Sequence, residues 1–501
     1  MLERRATFRD AVANSVFDVA VIGGGINGAS AYAELCRRGY RALLIDRGDF
    51  GGGSSQSSAM WIWGGLIYLA TLDFPTVIKL CASRDQLIRQ LPDWVRPSPN
   101  RYVATREDHR AAWFVKAALW LYWGLGAFRR RMPLEQGEFP ERHLFRDGHI
   151  ESTLLYEEAS IFPSDARFVA RWILPWCRAD RPALNYCEVM GGGRDAADGD
   201  WRIEMYDRVT GQETEARARW VVNAAGVWTD ELNQRFGIET AWKHVFSKGV
   251  FLALPRDSSH ATPLTFENRL RDCYSLIPWG PVSLWGPTET LASDPESGFV
   301  AEPQDVRVLL EELNRHVTRP YGPGDIVALR CGVRALAVKR GYASNQYTLC
   351  ISRRHVVARD GRLPWVSLYG GKLSSCISLG AAVADAVGRA LTPARPDPGA
   401  PLGEPPRGET ERFPGLEHPV PSARSAVEAE GCCTLEDYLR RRTNIAQWVP
   451  RHGLGRGGEH ALRLAELAGM FPGVDGVRGA PALAAYEARV AREFDRVLAA
   501  V

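Results

Sequence analysis

The sequence predicts an α/β protein: a Rossmann-like βαβ start, a mixed-sheet part threaded into it, and a helical C-terminal part. Three observations carry that expectation. Residues 17–50 run strand, glycine-rich turn, helix, strand. Residues 240–325 hold alternating apolar runs of the kind that form a sheet roofing a ligand. Residues 425–501 are periodic and rich in helix formers, behind a proline-rich stretch. A chain of 501 residues, 45% hydrophobic and 24% charged, has room for more than one structural unit. Its net charge of +3 leaves no footprint for nucleic acid.

The first element is FDVAVIGGGINGASAYAELCRRGYRALLIDRGDF (17–50). A β-branched strand runs into Gly23, Gly25 and Gly28 at GxGxxG spacing, a helix follows, and a second strand ends at Asp46. Gly23 suits a tight turn, Gly25 lets the main chain approach a pyrophosphate, and Gly28 permits close helix–strand packing. The helix start offers free N–H groups to phosphates, and Asp46 stands where a carboxylate binds ribose hydroxyls. A bare glycine turn is weak evidence, but strand, loop, helix, strand and acid in order are specific.

An excursion at 60–150 comes next and contains the aromatic segment AAWFVKAALWLYWGLGAFRRR (111–131). Its apolar part is short for a spanning helix, and Lys116 interrupts it. Two readings stand: a buried helix, or an interfacial one with Trp113, Trp120, Tyr122 and Trp123 at headgroup level and Arg129, Arg130 and Arg131 toward anionic lipid.

RWVVNAAGVWTDEL (219–232) is an apolar strand leading into Ala225, Gly226 and Trp228, back in the cofactor part. The excursion at 240–325 follows, and DIVALRCGVRALAV is expected to re-enter the cofactor part. LPWVSLYGGKLSSCISLGAAVADAV (363–387) is a strand, then Gly370, Gly371 and Lys372 opening a long helix. Its free N–H groups suit the electron-rich edge of an isoalloxazine. Three ligand-facing elements this far apart imply one long cofactor, which favours FAD over NAD.

Residues 391–424 read as a semi-rigid linker, with 17–395 before it as the cofactor unit carrying both excursions and 425–501 after it as the helical part. Ten cysteines lack metal-ligand spacing, apart from the adjacent Cys432 and Cys433. That scatter predicts reduced thiols, no zinc site, no disulfide framework and a cytoplasmic setting. The N-terminus carries no apolar run typical of a secretory signal.

VIGGGINGA, SSQSSAMWIWGGLIYL, SDAR (164–167), NAAGVW, IPWG, CGVRAL, YGGKLSS and TLEDYLRRRTNIAQWVPRHGLG occur in this order. The chain resembles, over nearly its whole length, the FAD-dependent glycerol-3-phosphate dehydrogenases within the D-amino-acid-oxidase-like flavoproteins. The resemblance implies an FAD-binding Rossmann-like, glutathione-reductase-type domain, with an interleaved mixed-sheet substrate domain and a C-terminal helical domain. It implies hydride transfer from a CH–OH donor, a small alcohol or sugar(-phosphate), to flavin. Electrons then pass to quinone, oxygen or another acceptor, often at a membrane surface. Residues and resemblance together give a cofactor set of Gly23, Gly25, Asn27, Gly28, Asp46, Arg47, Ser54, Ser55, Ser58, Val189, Ala225, Gly226, Trp228, Gly371, Lys372 and Leu373. The corresponding catalytic set is Arg334, Lys372, Arg353 (with Arg354 adjacent), Tyr68 and Trp63.

One stretch departs from the family. Met60, Trp63 and Ile67 stand where members carry a lysine, a histidine and an arginine, while Gly64, Gly65 and Tyr68 are kept. Each charge-assisted bond to a phosphate is worth ~1.5–3 kcal/mol, so the expectation is retained flavin chemistry on a changed substrate. That substrate is larger or less dependent on phosphate, sugar-like or aromatic, and stacks on Trp61 or Trp63. Against this, Arg330, Lys339 or Arg340 offer phosphate contacts from another side. His244, His355 and Glu289 are candidate proton acceptors. Glycerol 3-phosphate itself, oxidation of a CH–NH group, and a non-catalytic flavoprotein remain as alternatives.

Overall fold

The computed structural model of the chain describes residues 2–269, 272–342, 351, 353–393 and 408–501. Helix α1 (Leu2–Ala13), which the sequence did not announce, precedes strand β1 (Val16–Ile22). Arg5 of α1 is buried and bonds Asp207 at 2.7 Å, so this helix is tied to the sheet by charge. Then come α2 (Ile26–Arg37), β2 (Ala42–Ile45), β3 (Trp61–Ile62), α3 (Phe74–Gln90), β4 (Val95–Thr105) and α4 (Ala112–Leu125). After β5 (Leu134–Glu135), β6 (Ile150–Ile161) and α5 (Asp165–Ile173) the chain forms β7 (Ala183–Leu184), β8 (Cys187–Arg194), β9 (Trp201–Asp207) and β10 (Gln212–Asn223).

Helix α6 (Thr229–Arg235) leads to a second run of strands: β11 (Trp242–Pro255), β12 (Leu264–Glu267), β13 (Cys273–Trp279), β14 (Val282–Gly286) and β15 (Thr290–Ala292). Helix α7 (Pro303–His316), β16 (Ala328–Lys339), β17 (Val356–Arg359), β18 (Trp365–Tyr369) and α8 (Cys376–Gly388) complete the sheets.

The first sheet has the order β17-β18-β10-β1-β2-β7, with β18, β10, β1, β2 and β7 parallel and β9 and β8 extending from β10. Its central strands are apolar where β10, β1 and β2 run side by side toward their C-terminal ends, as a sheet covered on both faces requires; Val19, Val21, Leu43, Leu44 and Val221 are fully buried. The second sheet runs β15-β11-β14-β13-β12-β4-β6-β3, with β16 paired antiparallel to β11 along its length. Both excursions therefore share one sheet. The expectation that DIVALRCGVRALAV returns to the cofactor part is corrected: this strand completes the second sheet, because its register with β11 runs from Trp242↔Lys339 to Ala253↔Ala328.

Beyond the second sheet, short helices of the C-terminal part pack Leu435, Tyr438, Leu439, Ile445 and Leu464 into the same apolar cluster as Leu252, Trp285 and Leu309. Within the expected linker, 391–424, residues 394–407 lie outside the described residues. Cysteines among the described residues are free, and all but Cys273 are buried.

Helix α4 corrects the buried reading of 111–131. Only Val115, Leu119 and Tyr122 face inward, while Trp113 is 72% and Phe128 64% exposed. Among the described residues no helix is long and apolar enough to cross a membrane.

Candidate functional site

Between the two sheets lies a cavity of about 590 Å³. Its first end is the GxGxxG turn. Gly23 has φ +109°, and a side chain there would overlap the Ala224 carbonyl; one at Gly28 would overlap the Gly23 carbonyl. Gly28 does not line the cavity, so its place in the cofactor set is corrected to a packing position beneath the turn. The Gly24 amide donates to Asp46 Oδ2 at 2.5 Å and the Gly48 amide to Oδ1 at 2.7 Å. Burial pushes the Asp46 carboxyl up to about 6 despite those bonds. The Ile26 amide, at the start of α2, donates to Ser55 Oγ at 3.0 Å.

In the middle, the Arg47 guanidinium lies 4.0 Å over the Trp228 ring, which stacks on Phe299 with centroids 5.8 Å apart. Asn27 joins the two glycine turns. Its Nδ2 donates to the Gly370 carbonyl at 2.8 Å, and a Cβ on Gly371 (φ +102°) would come within 2.6 Å of Asn27 Oδ1. That Oδ1 is buried without a hydrogen-bond partner. Asp46, Arg47, Ser54, Ser55, Ser58, Val189, Ala225, Gly226, Trp228, Gly371, Lys372 and Leu373 all border this space, with Gly23, Gly25 and Asn27. The cradle fits an extended dinucleotide: amides without side chains at the turn, a carboxylate beside it, and an orphaned acceptor where the two loops meet.

The other end carries a different chemistry. Arg334 on β16 extends across Gly249 of β11 and donates to Glu289 Oε2 at 2.7 Å. Arg353 donates to the same oxygen at 3.0 Å. The Glu289 side chain is only 4% exposed and does not border the cavity, so it stands behind both guanidinium groups. Each Arg keeps further N–H groups, and both residues line the space. Lys372 Nζ donates to Tyr68 OH at 2.6 Å and sits 4.5 Å from that ring. Burial, then Arg353, pulls the Lys372 amine down to about 7, and burial raises the Tyr68 hydroxyl to about 12. Trp61, Trp63 and Ile67 complete the wall; the two indoles are 6.4 Å apart, centroid to centroid.

Several residues that the sequence singles out fall elsewhere. Arg330 is buried against Asp165 at 2.5 Å and bonds the Ser58 carbonyl, so it buttresses the loop from behind. Lys339 and Arg340 are exposed at the strand end, and Arg354 pairs with Asp73 at 2.6 Å on the surface. Met60 is buried among Phe251, Ile277 and Trp279, away from the cavity. His244 accepts the Gly370 amide at 3.1 Å, and burial drops its pKa to about 3. His355 does not border the space, and burial takes it to about 4. Gly64, unlike Gly65, does not border the cavity. Its amide donates to Glu158 Oε2 at 3.0 Å, and a side chain there would overlap Tyr122 OH and crowd Cys81 and Arg84.

The cluster behind Gly64 was not legible in advance: Glu158 accepts from Arg84 Nη1 at 2.7 Å and Tyr122 OH at 2.5 Å, all buried. A glutamate inside an apolar strand, STLLYEEASI, was the available signal. Gly249 was missed for a similar reason, since its meaning lies in the arginine passing over it.

Residues 18–377 match the family described as FAD dependent oxidoreductase. The chain is 27% identical to D-erythritol 1-phosphate dehydrogenase of Brucella abortus, over 72% of this chain and 71% of that protein. It is 27% identical to aerobic glycerol-3-phosphate dehydrogenase of Escherichia coli, over 72% of this chain and 70% of that one. Among solved structures, glycerol-3-phosphate dehydrogenase from Bacillus halodurans complexed with FAD superposes with TM-score 0.70 at 17% identity, covering 99% of this chain and 97% of that one.

Proposed function

The chain belongs to the FAD dependent oxidoreductase family, and we propose that it oxidises a secondary alcohol on an anionic, polyhydroxylated substrate bulkier than glycerol 3-phosphate. The observation that carries this reading is the division of one cavity into an arginine pair, Arg334 and Arg353, and an apolar wall of Trp61, Trp63 and Ile67. Guanidinium forks suit a phosphate or carboxylate, and indole faces suit the C–H face of a sugar or polyol. The relatives named for glycerol 3-phosphate and erythritol 1-phosphate agree on a phosphorylated alcohol, and the aromatic wall argues for the longer carbon chain.

FAD supplies the two-electron acceptor. The amides of the first turn and the start of α2 would hold its pyrophosphate, Asp46 its ribose, and Gly371, Lys372 and Leu373 the ring edge. The protein's own part in the chemistry is proton transfer and orientation. Glu289 fixes two guanidinium groups, which in turn fix the substrate anion. Lys372, neutral for much of its population near pH 7, takes the alcohol proton on Nζ as the carbonyl forms, with Tyr68 OH holding the amine in place. Among the described residues, none of the candidates His244, His355 and Glu289 borders the cavity whereas Lys372 does, which supports this amine as the acceptor on the substrate side.

Anaerobic mixing with a panel of alcohols tests the reading. Bleaching of the flavin band by tetritol or pentitol phosphates about tenfold or more faster than by glycerol 3-phosphate is expected. Equal or faster bleaching by glycerol 3-phosphate overturns the enlarged substrate, and bleaching by amino acids or amines mixed in parallel, with release of ammonia, points to CH–NH oxidation instead.

A second part of the proposal concerns location. The outer face of α4 and the turn after it expose Trp113, Phe114, Trp120, Leu121, Phe128 and Met132 beside exposed Arg129 and Arg131. Aromatic side chains with flanking guanidinium groups match an anionic bilayer surface, and this face rests on one.

A further inference from the structure

The loop between β2 and β3 lines the cofactor cavity through Gly52, Gly53, Ser54 and Ser55, yet its centre is three consecutive glycines, 51–53. Such a run has no side chains to hold it and loses much conformational freedom on ordering. One tie is internal: the Gly51 amide donates to the Gly24 carbonyl at 3.0 Å, inside the first glycine turn. Neutral ties flank it: the Ile26 amide donates to Ser55 Oγ at 3.0 Å, Asn185 Nδ2 to Asp49 Oδ1 at 3.1 Å and Ser57 Oγ to the Cys331 carbonyl at 2.7 Å. The charged ties come from three successive arginines almost 400 residues away.

Arg441 Nε and Arg442 Nη1 each donate to Asp49 Oδ2 at 2.8 Å, and Arg442 Nη2 donates to Oδ1 at 2.9 Å. Arg441 Nη1 reaches Gln56 Oε1 at 3.1 Å, and Arg440 Nη2 lies 3.4 Å from Ser57 Oγ. The glycine run is thus gripped at both ends, Asp49 on one side and Gln56 with Ser57 on the other. Asp49 and Arg442 are fully enclosed, so these bonds are not diluted by water. The arginines sit in a π-helical turn, Asp437–Arg442. A wide turn of this kind is rare and is often found at functional sites. Asp437 steadies it, accepting from Arg441 and, at 2.6 Å, from Tyr186 OH of the cavity wall.

We propose that this turn is a cofactor latch: Arg440, Arg441 and Arg442 hold the Asp49–Ser57 loop in the shape that binds FAD, so cofactor retention depends on the C-terminal helical part. Arg441 itself borders the cavity, and the other two act through the loop as positioning residues. If the competent loop shape falls to about one part in a hundred, the apparent Kd for FAD rises about 100-fold.

The holoenzyme and its Arg441→Gln variant provide the test, with two signals followed on heating: release of flavin by its fluorescence, and global unfolding by circular dichroism. In the variant, flavin is expected to leave well below the unfolding transition, with a Kd for added FAD raised about 100-fold and recovered in part by Arg441→Lys. If the Kd is unchanged, or if release and unfolding shift together by the same amount, the latch is refuted and the arginines serve only global stability. Should Arg441→Gln not fold, Arg440→Gln removes one arm of the grip from the arginine side and leaves the loop's own bonds intact. A Kd raised about tenfold supports the latch, and an unchanged Kd refutes it.

Discussion

Gly249 lies directly beneath the guanidinium of Arg334: a Cβ added to it would come within 2.7 Å of Arg334 Cζ, and closer still to Nη2. The two residues sit on neighbouring antiparallel strands, and the bare backbone of β11 is what lets the arginine lie flat toward Glu289. Gly249→Ala therefore displaces the fork instead of opening a hole. The expected result is a stability loss of about 1–3 kcal/mol from overpacking and a raised KM, with FAD content unchanged. Denaturant unfolding and steady-state kinetics on the same preparation measure both. An unchanged KM would show that Arg334 does not touch the substrate.

The Lys372 amine, depressed to about 7 by burial and by Arg353, sets a pH dependence. Flavin reduction by substrate should rise as pH passes upward through about 7, where the amine loses its proton and can accept another. Lys372→Met should slow reduction by about 10²–10⁴ and flatten the profile, as stopped-flow traces across pH would report. Stability follows the opposite logic to an ion-paired lysine. Between about 7 and the ordinary lysine value, the unfolded chain holds a proton that the folded one lacks, so stability of the cofactor-free protein rises with pH across that window. The cost of burying the cation is fully present below about 7.

How much of this was legible depends on the range of the interaction. The βαβ unit and its turn could be read because each glycine answers to neighbours a few residues away, and Asp46 is placed by one strand. Arg334, Arg353 and Lys372 came from resemblance, and the fold brings all three to one cavity. What the sequence withheld was long-range pairing. Nothing local says that β16 joins β11 rather than the first sheet, or that Arg330 turns inward to Asp165 while Arg334, four residues on, faces the cavity. Similarly, nothing beside Gly64 in the sequence says that Glu158 and Arg84 pack behind it.

Restoring the lost polar groups is a gain-of-function check on the substrate reading. Ile67→Arg with Trp63→His returns a phosphate donor and an imidazole to the cavity wall. A regained charge-assisted bond of ~1.5–3 kcal/mol lowers the KM for glycerol 3-phosphate by about tenfold or more, while oxidation of a longer polyol phosphate declines as the indole wall is lost. If both substrates respond alike, Trp63 and Ile67 are packing residues and the wall does not select.

The outward face of α4 makes the last prediction, because its apolar and charged parts separate experimentally. Trp113 is 72% exposed, Phe114 51% and Trp120 41%, so none of them supports the fold from inside, and replacing all three with serine should leave thermal unfolding and FAD content unchanged. Flotation with vesicles of mixed neutral and anionic lipid is then expected to fall about tenfold or more, since each aromatic buried at the interface contributes on the order of 1 kcal/mol or above. Arg131→Gln should weaken only the preference for anionic lipid, by ~1 kcal/mol for the one charge. Arg129 and Arg130 are left in place because they pair with buried Asp85 at 3.9 and 3.2 Å and belong to the structure beneath. Unaltered protein that fails to float with anionic vesicles would assign this face to some other partner.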